Sequence, residues 1–151
     1  MGSSPIGSTI IRIEGNIMKK RNLFKEIQEG FQALVEMRDT MFAVTLFTQT
    51  KTLRDAIIQQ EVDRIPKLLQ QIIVQMGEHF HHEEELMSAC SYEFYHEHQM
   101  EHAAMLREMW EFKRKLEEGA EPCLTIPDFI DAWLEQHVIQ KDLSFLRWGR
   151  N

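Results

Sequence analysis

Apolar residues recur at steps of three and four along nearly the whole chain, a period that suits helices and cannot sit still as strands. Leu23, Phe24, Ile27, Phe31, Leu34 and Val35 open the pattern after Asn22, as a short helix or a shaped arm. Phe42, Leu46, Leu53 and Ile57 carry it to an expected end near Gln60. Pro66 suits a first-turn position, so a second helix should start there and run through Leu69, Ile72, Ile73, Met76, Phe80 and Met87. A third is expected from about Glu93 to Glu118, stopped by Gly119, and a last from about Asp128 to Phe145, with Thr125 or Pro127 near its start. Long helices with short connections predict an all-α fold, an antiparallel up-down four-helix bundle with a short N-terminal helix or arm.

Composition narrows the class. With 151 residues the chain can bury a core without disulfides, and one domain is expected. Four prolines and seven glycines leave little material for a many-turned β architecture. A formal charge of −7 gives no basic footprint for nucleic acid. No apolar run approaches the roughly 18 residues of a membrane span, so no membrane partner is expected. Cys90 and Cys123 have no CxxC spacing and read as reduced thiols, consistent with a cytoplasmic location. The first 17 residues do not read as a signal peptide and are set aside as a disordered tail or an appended segment, leaving 18–151 as the domain.

All seven histidines fall between positions 79 and 137. On a helix, side chains four apart share a face with Cβ atoms roughly 5–6 Å apart, close enough to reach one cation. In EHFHHEEEL, Glu78 with His82, His79 with Glu83, and His81 with Glu85 all have that spacing. Only His79 and Glu83 also continue the inward line from Met76 to Met87, whereas His81 and His82 turn to the solvated face. In the third helix the inward line reads Tyr95, His98, His102, Met105, Met109, Phe112 and Leu116. His96, about 200° around from His98, lies off it.

The last helix carries His137 and Asp142 on either side of an edge defined by Leu134, Val138 and Phe145. Five α-helical residues set them about 140° apart, too wide for one ion and better suited to two adjacent ones. A single buried histidine is more often a hydrogen-bonded core residue than a ligand. Four histidines and two carboxylates converging from three helices favour a cation instead, and imidazole with carboxylate and no thiolate suits iron, manganese or zinc. The expected metal ligands are therefore His79, Glu83, His98, His102, His137 and Asp142.

These residues resemble the hemerythrin family over roughly residues 35–146. HFHHEEELM looks like the family's HFxxEExxM, Tyr92 with His98 and His102 resembles its YxxxxxHxxxH, and WLEQHVIQKD is similar to its WLxxHIxxxD. The resemblance implies a non-haem di-iron centre: His98, His102 and His137 on one iron, His79 on the other, Glu83 and Asp142 bridging. It also implies dioxygen, or a small ligand such as nitric oxide or peroxide, as the partner, in oxygen binding, storage or sensing. The family's first helix supplies one more histidine, and this chain has none before His79. Aligning LFTQTKTLRDAI with that helix puts Ala43 at the missing position, or Met41 or Phe42 with a slipped register, and leaves Gln49 or Glu36 as oxygen substitutes. One iron in place of two is then an open expectation. Two other readings are an iron-dependent enzyme that activates peroxide or oxygen, and a degenerate bundle that acts as a regulatory or interaction module with little metal.

Overall fold

The computed structural model describes residues 5–148, whose regular elements are all helices joined by short turns, with no strand among them. Helix α1 spans Pro5–Ile58, α2 Ile65–Ala89, α3 Tyr95–Glu117 and α4 Thr125–Trp133. The last runs without a break into a π-helix, Leu134–Asp142, and then α5, Leu143–Trp148. The described residues fall into two compact units, one up to Arg38 and one from Asp39 on. Residues 5–17 are helical. In the first unit the large apolar side chains Ile13, Ile17, Ile27, Phe31 and Leu34 are all exposed.

The second unit has one main core. Phe42, Leu46, Leu53 and Ala56 of α1 meet Leu69, Ile72, Ile73, Met76 and Phe80 of α2, Met105 and Met109 of α3, and Ile126 and Ile130 of α4. These positions recur at three and four residues, so burying each stripe against the others removes the apolar face of every helix at once. Leu46, Leu69, Met76, Met109 and Ile130 are fully enclosed. Side chains of this size contribute roughly 1.5–3 kcal/mol each on burial, before conformational entropy is set against them. Arg54 adds a polar tie between α1 and α4, its Nη2 lying 2.7 Å from Asp128 and 3.0 Å from Asp131.

Three helix ends close by the same device. After α3, Gly119 takes φ +93°, its N–H donates to the Leu116 carbonyl, and Ala120 N–H donates to that of Lys115. Gln60 and Ser91 adopt the same left-handed backbone after α1 and α2 with equivalent bonds. Neither is a glycine, so each carries the steric cost of a Cβ in that conformation. At Ser91 the burial of the neighbouring Tyr92, which packs with Met87 and Phe145 in a small second core, offsets it. Helix α2 begins at Ile65, one residue earlier than expected, with Pro66 in its first turn where a missing N–H costs nothing.

Candidate metal centre

Each ligand-type side chain sits where a helical stripe passes from apolar to polar. His79 and Glu83 continue the α2 line after Met76, and His98 and His102 precede Met105 and Met109 on α3. His137 and Asp142 both lie on the π-helix. All six are buried, between 1% and 7% exposed. His81, His82 and His96 are exposed.

Five of the six come together. Glu83, His98, His102, His137 and Asp142 each offer a ligand atom, and these atoms all lie within 4.8 Å of one another. His98 Nε2 is 3.1 Å from His137 Nε2, 3.3 Å from Glu83 Oε2 and 3.1 Å from Asp142 Oδ1. His102 Nε2 is 3.2 Å from Glu83 Oε2, and His137 Nε2 is 3.4 Å from Asp142 Oδ1. One cation holding its ligands at about 2.0–2.2 Å keeps them roughly 3–4.4 Å apart, so these separations fit ligands of a shared ion.

The π-helix corrects the expected 140° between His137 and Asp142. Hydrogen bonding from i to i+5 stacks residues five apart on one side of the helix, and both side chains reach the same cluster. They do not have to be divided between two ions.

The outer edges of two imidazoles are fixed by carboxylates. His102 Nδ1 donates to Glu84 Oε1 at 2.9 Å, and His137 Nδ1 donates to Glu101 Oε2 at 2.7 Å. A carboxylate only accepts, so the Nδ1 proton is set and each Nε2 is left to turn a lone pair inward. Aromatic rings fix the planes: Phe80 stacks on His102 at 3.9 Å, Trp133 on His137 at 4.6 Å and Phe42 on His79 at 3.7 Å. Imidazoles oriented by an outer carboxylate are the usual arrangement around a bound metal.

Protons alone do not satisfy this cluster. His98 Nε2 carries at most one proton and faces three acceptors. Glu83 Oε1, His102 Nε2 and both Asp142 oxygens are buried without a hydrogen-bond partner, an arrangement that is costly in a low-dielectric interior. Burial and the neighbouring Glu83 charge push the Asp142 carboxyl well above its ordinary range. Burial would raise Glu83 too, but the imidazoles of His102 and His98 outweigh it and hold that carboxyl well below. Burial, then the charges of His98 and His102, depress His137 to about 4, so it is neutral at neutral pH. A cation in the middle of the cluster would answer all of these groups at once, and the donor set fits one.

His79 stands slightly apart. Its Nε2 is 3.9 Å from Glu83 Oε2 and 3.9 Å from Asp142 Oδ2. Its third neighbour is Asp39 Oδ1, at 3.8 Å. The first-helix position expected at Ala43, Met41 or Phe42 is thus differently filled. Ala43 is half-buried against the core, Met41 is exposed, and Phe42 stacks on His79. Gln49 is half-buried, and Glu36 belongs to the other unit. Asp39 was missed in the sequence, although it heads the line Phe42, Leu46, Thr50 and Leu53 at inward spacing. Glu84 and Glu101 were missed as well, and their places beside Glu83 and His102 were the only signal.

An open depression of about 510 Å³ has His98 in its wall, with Tyr92, Phe94, Glu101, Lys141 and Trp148. No described helix is long and apolar enough to cross a membrane. No family model, curated protein or solved structure matches the chain.

Proposed function

We propose that this chain is a hemerythrin-like protein, an antiparallel up-down bundle whose buried cluster holds non-haem iron and binds dioxygen or a related small ligand. One observation carries the reading: three imidazole Nε2 atoms and two carboxylates from three helical stretches meet within 4.8 Å, all buried. The absence of thiolate from the set argues against a closed structural zinc site, which more often uses cysteine, and Cys90 and Cys123 are both exposed.

His98, His102 and His137 would hold the iron with Glu83 and Asp142. Iron there supplies a redox couple and an open position for a small ligand. The chain's own part is to orient and to enclose. Glu84 and Glu101 keep the imidazole tautomers, while Phe80 and Trp133 hold the ring planes and exclude water from one side. The depression beside His98 offers a small molecule a way toward the cluster.

Metal analysis of protein purified without chelator, followed by absorption spectra of the reduced, iron-loaded protein before and after oxygen, tests the proposal. Bound iron and a spectrum that returns when oxygen is removed are expected. Iron near zero with no thermal stabilisation on loading would leave a metal-free bundle. Steady turnover with peroxide and a reductant would make the protein an enzyme and not a carrier.

A further inference from the structure

The cluster has a second side that the five-residue site does not use. His79 Nε2 is nearly equidistant from Asp39 Oδ1, Glu83 Oε2 and Asp142 Oδ2, at 3.8, 3.9 and 3.9 Å. Asp39 comes from α1, which contributes nothing to the five-residue cluster. Asp142 divides its oxygens: Oδ1 faces His98 and His137, and Oδ2 faces His79. Oδ2 is fully buried and makes no hydrogen bond, and neither does Glu83 Oε1.

From this geometry we infer that Asp39 is the α1 ligand of a second cation subsite, completed by His79, Glu83 and Asp142. The inference rests on the metal-centred reading above and deepens it. Two donors on one cation at about 2.0–2.2 Å cannot be more than roughly 4.4 Å apart, and each of the three contacts of His79 meets that limit. Asp39, Glu83 and Asp142 each place an oxygen within 3.9 Å of this one imidazole nitrogen, and carboxylates gathered at a buried point repel one another unless a cation or a proton lies among them.

The two subsites differ in chemistry. The first has three imidazoles with its two carboxylates. The second has one imidazole and three carboxylates, two of them shared with the first. Oxygen donors suit harder cations, so the second subsite is better matched to manganese or iron than the imidazole-rich first one is. The centre is therefore asymmetric, and each side can hold a different metal.

Stepwise titration of the metal-free protein with Mn²⁺, followed by equilibrium dialysis and by the electron paramagnetic resonance of free Mn²⁺, tests this. Two cations per chain are expected for the parent, and one for Asp39→Ala and for the isosteric Asp39→Asn. Both variants should also show a smaller rise in Tm on Mn²⁺ loading, with unchanged helical circular dichroism. Retention of two cations by both variants would remove Asp39 from the site. A parent that binds one cation would show that no second subsite exists while leaving the first intact. A parent that binds none, with Mn²⁺ or with Fe²⁺, would overturn the metal-centred reading itself.

Discussion

His137 and Asp142 are five residues apart, yet His137 Nε2 and Asp142 Oδ1 approach to 3.4 Å, because the helix that carries them is wound as a π-helix. An α-helix would turn them about 140° away from each other. The wider winding is a less favourable backbone arrangement, and it occurs at the one place where two side chains of the last helix must point at a common centre. Inserting one alanine after Ile139, which is exposed, should break this register. Loss of metal binding with near-parent helical circular dichroism is expected; unchanged metal affinity would mean that the π-helix has no part in building the site.

Glu101 and Glu84 touch imidazoles and not the centre of the cluster. Replacing either by glutamine keeps the shape but weakens the hold on the Nδ1 proton, so metal affinity should fall by about 10–100-fold while apo stability changes little. Isothermal titration of Glu101→Gln and Glu84→Gln against His96→Ala, an exposed control, measures this. Equal affinity in all three would deny the carboxylates an orienting role.

Metal binding should release protons. Asp142 is raised well above the ordinary carboxylate range, so the metal-free protein keeps a proton there to higher pH than a free carboxylate would, and a cation must displace it. Affinity is then expected to rise with pH until Asp142 is ionised in the free protein. It should fall on acidification, and more steeply near pH 4, where His137 takes up its own proton. Titrations in buffers of different ionisation enthalpy count the protons. A pH-independent affinity would contradict the assignment of Asp142 as a ligand.

Phe80 is 2% exposed and stacks on His102 with its ring 4° from parallel. Phe80→Ala should cost about 3–5 kcal/mol in chemical denaturation of the apo protein, mostly through the cavity it leaves. The loss should be larger than for His81→Ala, whose side chain is exposed. A cost below about 1 kcal/mol would show that the site collapses freely, contrary to the close packing of the core.

Much of the site is legible in the sequence, and the reason is periodicity. His79 with Glu83 and His98 with His102 are α-helical pairs on stripes already marked by Met76, Met87, Met105 and Met109, so the same count that locates the core locates them. The π-helix is illegible, because an i to i+5 winding has no side-chain period of its own in a stretch as short as LEQHVIQKD. Asp39 escapes for a different reason. A single carboxylate at the head of an apolar line reads as a surface charge until its partner, forty residues along the chain, is known to face it. The extent of α1 toward its N-terminus is also hidden, since residues 8–17 are all exposed and offer no buried stripe.

Anomalous diffraction at the iron edge, from crystals of the iron-loaded protein, tests the metal centre most directly. A peak within about 2.0–2.2 Å of Nε2 of His98, His102 and His137 is expected, with Glu83 and Asp142 completing the coordination. Iron found only at surface positions such as His81 and Glu85, with those three imidazoles bonded to one another or to water, would contradict a buried metal site.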